Sequence, residues 1–387
     1  MKYPGIFRKK GAALPLDART ARPDGVLLTY ILALSAIGSV MVASAGYAYA
    51  ASRYGDSGYF ARKQLFFVAV GLLLMWGISR IPMTHVRKVV LPGFFITVIL
   101  LLITLVFGLT GNGAQRWIAL GPLTFQPSEL AKLTLVLTLG HYFDLYGERM
   151  ARGRRDRLRY GILFPLGITG GICLLVVLQR HLSGLIILAS IGLLMMFLAG
   201  AASSALGLIC GGGALGVGVL AFTLDYTKER ITVWRDPAAY PLAGGWQTLQ
   251  GLMAIGSGGF FGLGLGKSRL KYSWVSEPAN DFIFTITCEE LGFLGAIAII
   301  LLFFLFLKRG FLIGIGNRDT FSRMVALGIT GKVAIQVILN LAVITNTIPN
   351  TGISLPFFSY GGSSLLMLFA EMGILLSISR GARLPYR

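Results

Sequence analysis

Ten runs of about twenty apolar residues, joined by mostly short polar breaks, leave this chain little choice of architecture. They fall at about 26–50, 64–80, 89–110, 128–146, 160–179, 183–200, 203–224, 281–307, 322–346 and 361–380. A helix of that length crosses the roughly 30 Å hydrocarbon layer of a bilayer, and it satisfies its own backbone where water is absent. Only 13% of the 387 residues are charged and 55% are apolar, about half the charge of a soluble protein. A soluble enzyme, a disordered tail and a free nucleic-acid binder are excluded. The expectation is an all-α polytopic membrane protein with ten transmembrane helices in one domain over 26–380. A cytoplasmic segment, 1–25, precedes it and a tail, 381–387, follows. Ala48-Tyr49-Ala50 looks like a signal-peptidase site, but the run before it is too long for a signal peptide, so a retained anchor is expected.

Ten spans put both termini on one side. That side carries 22 of the 35 Lys and Arg, against 11 on the other and two, Lys132 and Lys332, within spans. The positive-inside rule makes it the cytoplasm. The net charge of +19 thus reads as a topology signal and an attraction to anionic lipid, with no need for nucleic acid. The longest connection, 225–280, becomes a large extracytoplasmic loop with Trp234, Trp246, Trp274 and a glycine-rich run over 256–266. That run lacks the Gly-Lys-Ser/Thr ending of a phosphate loop and reads as a bent or re-entrant segment. The outer tryptophans, Trp117 included, suit an interfacial belt or sugar stacking. Cys173, Cys210 and Cys288 lie in apolar runs as core residues, and His85, His141 and His181 are too dispersed for a metal site.

Charges in or at the spans carry more information: Glu129, Lys132, Asp281, Glu289, Glu290, Lys332 and Glu371. At mid-bilayer each costs about 2.5–3.5 kcal/mol on insertion scales, so such groups persist when paired, wetted or needed. Glu129 and Lys132 share a helix face, as a snorkelling ion pair or as part of a site. Asp281 opens the eighth run, with Thr285, Cys288 and Glu289 following on one face and Glu289 about 12 Å deeper. It is either a helix cap or a chemical group. Lys332 and Glu371 lie at equal depth in neighbouring spans, where a structural ion pair is expected. Lys132 and Glu289 or Glu290 share the outer half and could meet across a wet cavity.

Several segments together resemble the SEDS family of cell-wall polymerases, which comprises FtsW, RodA and SpoVE. They are residues 113–132 (GAQRWIALGPLTFQPSELAK), Gly245-Trp246-Gln247 with Ala254-Ile255-Gly256-Ser257-Gly258-Gly259, Asn280-Asp281-Phe282-Ile283-Phe284 through Glu289-Glu290-Leu291-Gly292-Phe293, and residues 349–364 (PNTGISLPFFSYGGSS). The likeness covers about 24–382. Gly264-Leu265-Gly266-Lys267-Ser268, Lys271 and the basic first 25 residues look most like the FtsW branch. Two departures stand out. Arg180-His181-Leu182-Ser183 replaces the usual Pro-Asp-Leu-Gly, and Val275-Ser276-Glu277 replaces Leu-Pro-Glu.

The resemblance implies a peptidoglycan glycosyltransferase that polymerises lipid II at the outer face of the bacterial cytoplasmic membrane. Its expected partners are a class B penicillin-binding protein that crosslinks the strands, other division-complex proteins and membrane lipids. It also implies an essential aspartate, matched by Asp281. Transfer from an α-linked pyrophosphate to a β-1,4 bond inverts the anomeric carbon, and pyrophosphate leaves without acid help, so a single base suffices. Asp281 is that candidate. Arg116, Lys132 and Arg230 are candidates for offsetting pyrophosphate charge. Trp117, Gln126, Glu129, Gln247 and Ser363 are further candidates for holding substrate, with Glu289, Glu290, Lys332 and Glu371 as polar support. A divalent cation, magnesium or manganese, could assist departure, though the sequence shows no dedicated cage. The alternatives are a lipid II flippase, a RodA-like polymerase of cell elongation, and a scaffold that only activates its partner.

Overall fold

The computed structural model describes residues 22–111, 114–121, 123–223, 231–240, 245–272 and 278–384. Arg230, Trp274 and Val275-Ser276-Glu277 lie outside the described residues. The helices are α1 (Gly25–Tyr54), α2 (Tyr59–Ser79), α3 (Met83–Phe107), α4 (Pro127–Met150), α5 (Arg154–Leu178), α6 (Leu182–Leu198), α7 (Ser203–Thr223), α8 (Gly245–Ser257), α9 (Ile283–Gly316), α10 (Thr320–Ile344) and α11 (Gly362–Ser379). A helix therefore covers each of the ten apolar runs. Among the described residues, seven helices are long and apolar enough to cross a membrane: α1, α2, α3, α5, α9, α10 and α11. The protein is a multi-pass membrane protein. Helix α6 is apolar but shorter, at 17 residues.

Burial sorts the helices into a centre and a rim. In the most apolar window of α10 and of α11, 67% and 78% of residues are buried, against 22% in α2 and α3. The rim helices turn Leu65, Phe66, Leu73, Trp76, Phe95, Ile96 and Phe107 outward, as acyl chains would require. Helix α4 is sealed between α3, α10 and α6, which allows Thr134 and Thr138 to be buried there with the ion pair described below.

One feature departs from the all-helical expectation. Between α3 and α4 the connection forms three short antiparallel strands: β1 (Leu109–Gly111), β2 (Ala114–Leu120) and β3 (Leu123–Phe125). Leu109 pairs with Trp117, and Ile118 with Phe125. Trp117, Ile118 and Phe125 are β-formers, and Gly121, at φ 63°, provides the tight turn between β2 and β3.

The glycine-rich segment is bent, as expected, and it docks into a break in α9. At Gly292 the backbone leaves the helix (φ 67°, ψ −170°), which strands two carbonyls before the break and two amides after it. Leu263 N and Gly264 N donate to Glu289 O and Glu290 O, while Phe293 N and Leu294 N donate to Gly259 O and Phe260 O. Four of the groups freed by the break are thus recovered by the loop.

Candidate functional site

A cavity of about 790 Å³ opens at the end of the bundle where α2, α4, α6 and α11 begin, beside the residues that precede α9. Asp281 lines it, half-buried. The helix starts at Ile283 with Phe282 as its cap residue, and no side chain caps it. Asp281 therefore does not serve as the N-cap. Nor does it continue a helical stripe toward Glu289, because it precedes the first turn.

The backbone around Asp281 is held from α10 and from the segment before α11. Asn340 Nδ2 donates to Asp281 O at 2.9 Å and to Ile353 O at 2.7 Å. Ser359 Oγ donates to Asn280 O, and Tyr360 N to Ala279 O. Gly352 (φ 68°) lies so near the carboxylate that a Cβ there would sit 3.1 Å from Asp281 Oδ2. Ser183 Oγ donates to Thr351 O, bringing the start of α6 against the same segment. These bonds hold the backbone that carries the carboxylate.

Across the cavity, Lys132 Nζ donates to Glu129 Oε1 at 2.6 Å, both residues being buried. Arg116 and Trp117 of β2 and Gln126 also line the wall, with Arg116 Nη2 donating to Arg180 O at 3.1 Å. Behind them, Lys332 Nζ donates to both oxygens of Glu371, at 3.0 and 2.8 Å, the inter-helix pair that equal depth suggested. A second, water-sized chamber of about 20 Å³, lined by Glu129, Lys332 and Gln336 among others, adjoins this pair.

Other sequence candidates are spent elsewhere. Glu289 and Glu290 do not reach Lys132. Glu289 accepts from Ser268 Oγ and Arg269 N, while Glu290 accepts from Ser268 N, Ser44 Oγ and, at 3.0 Å, Lys271 Nζ. They anchor the glycine-rich loop to α9 and α1. Gln247 Oε1 accepts from Asn350 Nδ2 at 3.4 Å, away from the cavity lining. Ser363 is buried and off the wall; Gly362 and Ser364 stand there instead. Trp234 Nε1 donates to Asn346 O, so that tryptophan is a loop anchor.

The structure adds residues that the sequence reading did not name as site candidates: Arg62, Lys63, His181, Gln336 and Tyr360 line the same cavity. Arg62 pairs with Asp56, and Lys63 donates to Tyr59 Oη. Both basic residues had been absorbed into the charge asymmetry of the loops; their place immediately before a span, on the Asp281 side, was the available signal. Burial pushes the Tyr360 hydroxyl up to about 12, so it stays a neutral donor.

Five helices begin at this cavity without a side-chain cap: α2 after Gly58, α4 after Gln126, α6 after His181, α9 after Phe282 and α11 after Gly361. At the opposite end, α1 and α10 are capped by the carboxylates of Asp24 and Asp319, while α3 and α5 are not capped. Uncapped N-termini carry partial positive charge and suit an anion. The donor set fits a divalent cation poorly. Glu129 is already neutralised by Lys132, and among the described residues no three carboxylate, histidine or cysteine side chains gather at one point.

A family model described as cell cycle protein, FtsW/RodA/SpoVE, matches residues 25–384. Stage V sporulation protein E of Bacillus subtilis (strain 168) is 38% identical over 374 residues, covering 95% of this chain and all of that protein. The protein named Probable peptidoglycan glycosyltransferase FtsW from Trichlorobacter lovleyi is 37% identical over 371 residues, 95% of each chain. Among solved structures, a chain of a peptidoglycan synthase complex described as coordinating polymerization and crosslinking superposes with a TM-score of 0.76. It is 28% identical and covers 92% of this chain and 98% of that one. Thermus thermophilus RodA gives 0.68 at 28% identity, covering 94% and 98%.

Proposed function

The chain belongs to the FtsW/RodA/SpoVE family of cell cycle proteins, and from that premise we propose that it is a peptidoglycan glycosyltransferase in which Asp281 is the general base. Its substrate is lipid II, presented at the outer face of the cytoplasmic membrane with the polyprenyl tail in the bilayer. The observation that carries this reading is Asp281 itself: a half-buried carboxylate on the wall of a large cavity, its backbone pinned from two sides and its side chain not used as a helix cap.

In the transfer, the 4-hydroxyl of the acceptor sugar attacks the anomeric carbon of the donor while Asp281 takes its proton. The new C–O bond forms as the bond to pyrophosphate breaks, and polyprenyl pyrophosphate departs with the electron pair. One displacement inverts the α-linked donor to a β link, so a single base is enough. Arg116 and Lys63 on the cavity wall, with Lys132 and Arg62 beside their carboxylates Glu129 and Asp56 and with the five uncapped helix starts, supply positive potential for the leaving pyrophosphate. The exposed Phe66 beside Lys63 gives the polyprenyl tail an apolar way out to lipid. No step is routed through a metal.

The similarity to a polymerase held in a synthase complex supports a crosslinking partner of the class B penicillin-binding type, and the FtsW likeness supports a role in division. A flippase would need charged groups threading the whole bundle. Here the cavity lies at one end, and the deeper pair, Lys332–Glu371, is closed on itself. The test is reconstitution in liposomes with lipid II, with and without the partner. Asp281→Asn should fold and bind lipid yet lose glycan synthesis by at least about 100-fold, the lower range for general-base removal. Parental rates from a folded variant would end the assignment.

A further inference from the structure

Helix α4 starts at the cavity and ends at Met150, so Arg149 stands about 33 Å from Pro127 along the axis, close to the thickness of the hydrocarbon layer. The turn from α4 into α5 carries six arginines, Arg149, Arg152, Arg154, Arg155, Arg157 and Arg159, with Asp156 the one acidic residue among them. Arg157 serves the fold: its Nε donates to Gly200 O at 2.9 Å, just past the end of α6. The other five are exposed.

Two of those five, Arg149 and Arg159, are set against aromatic rings from both helices. Tyr146 of α4 and Tyr160 of α5 stack with centroids 5.8 Å and planes 12° apart. The Arg149 guanidinium lies 5.2 Å from the first ring and 5.4 Å from the second, and its Nη1 donates to Tyr160 Oη at 3.1 Å. The Arg159 guanidinium lies 5.8 Å from Tyr160 and 5.4 Å from Phe164. Tyr160 is itself held by Tyr142 Oη, which donates to its carbonyl at 3.0 Å. Residues 159–163 form one wide turn in which Phe164 N reaches back five residues to Arg159 O, just before Pro165, which has no N–H to give.

Among the described residues neither guanidinium forms an ion pair with a carboxylate; Asp156 acts on Arg149 only at longer range. Each keeps N–H donors in a planar fork of the kind that takes two oxygens of one phosphate. Beside them Leu145, Leu158, Leu163 and Phe164 expose apolar surface. Guanidinium forks against an apolar wall, one bilayer thickness from the cavity, match an amphiphile that carries a phosphate and acyl chains. A soluble acidic peptide would leave that wall uncovered.

We propose that Arg149 and Arg159, set on Tyr146, Tyr160 and Phe164, form a binding site for the phosphodiester headgroup of an anionic phospholipid at the end of the bundle opposite the cavity. The site stands independently of the polymerase reading. It differs from the general pull of a basic surface on anionic lipid. That pull is shared by every exposed cation at this end, Lys308 and Arg318 included, whereas a two-oxygen grip needs forks held in place.

The test uses the full chain in phosphatidylcholine nanodiscs doped with photo-crosslinkable phosphatidylglycerol, with crosslinks mapped by mass spectrometry. Labelling should centre on residues 145–164. Unlabelled phosphatidylglycerol should displace it, and soluble glycerophosphoglycerol, which has the headgroup without the chains, should not. R149Q/R159Q should need at least about tenfold more phosphatidylglycerol for half-saturation, the range of one charge-assisted hydrogen bond. K308Q/R318Q, which removes the same charge at the same end, should shift it less than about twofold, the effect of screened surface charge. R149K/R159K keeps the charge, so it carries the comparison if the glutamine pair does not fold; without the forks it should still weaken binding about threefold or more. Equal shifts for the two glutamine pairs, parental affinity in the lysine pair, labelling spread evenly over the basic end, or displacement by the soluble headgroup would each overturn the proposal.

Discussion

Replacing Gly292 by alanine tests the junction between the glycine-rich loop and α9. A Cβ at this position would lie 2.2 Å from Gly262 N, 2.6 Å from Phe261 C and 2.8 Å from Phe260 O. These are backbone atoms, so no side chain can swing away. The backbone there (φ 67°, ψ −170°) is also one that glycine alone adopts without strain. Relief requires the loop to lift off and give up the four bonds from Leu263 N, Gly264 N, Phe293 N and Leu294 N. At about 1 kcal/mol per bond, and up to about 3 kcal/mol for any strain retained, the variant should lose about 4–7 kcal/mol. Gly259→Ala is the control. It has a positive φ of 55° with open space around it, so only the left-handed penalty of about 1–2 kcal/mol applies. Denaturant unfolding in mixed micelles, with hydrogen exchange at residues 263, 264, 293 and 294, reads both quantities. Equal stability of the two variants, or protected amides in Gly292→Ala, would refute the docking argument.

Two further outcomes follow from buried charge. Lys332→Glu and Glu371→Lys should each destabilise by about 3–5 kcal/mol, because each leaves two like charges buried together, and the exchanged double variant should regain most of that in the same unfolding assay; no recovery would mean the pair is not coupled. On the acid side, His181 stays unprotonated in the folded protein down to about 4 while the unfolded chain takes up its proton near 6.5. Its contribution is therefore complete above about 6.5 and fades as pH falls toward 4, by up to about 3 kcal/mol, so H181N should flatten the acid limb of stability against pH; superimposable limbs would contradict the neutral imidazole.

How much of this was written in the sequence depends on the range of the interaction. Apolar runs are local, so a helix covers every one of the ten. The Lys332–Glu371 pair was legible because equal depth in two spans is a sequence quantity once spans are known. Lys132 offered two partners of opposite sequence range, and the one three residues away took it. Glu289 and Glu290 were misplaced because their donors, Ser268 and Arg269 for Glu289 and Lys271 for Glu290, sit in a loop whose fold depends on the break at Gly292. A glycine inside an apolar run gives no sign that its helix is interrupted. Of the strands of 109–125, β1 and β3 were missed because three residues are too short to show a period, and the seven of β2 lie in a segment read only as a connection between spans.

The cavity has a mark of a subtler kind, a gathering of helix starts without caps. Helices α1 and α10 begin after Asp24 and Asp319, residue types that satisfy the first orphan amides. Those at the cavity begin after Gly58, Gln126, His181, Phe282 and Gly361, and none receives a side-chain cap. Helices α3 and α5 start uncapped at the opposite end as well, so it is the convergence of five such starts that counts. They concentrate dipole potential where Lys132 and Arg116 already stand. On the proposed reading a bound pyrophosphate would supply acceptors for their first amides. On this account Asp281 lies one residue before the cap position because a carboxylate committed to orphan amides would be a weaker base. Moving it into that position, by exchanging Asp281 and Phe282, should cap α9 and abolish glycan synthesis; because Phe282 is a buried core residue, Phe282→Ala is the folding control and the comparison is made on folded protein. Retained synthesis in a folded exchange variant would show that the uncapped start has no part in the chemistry.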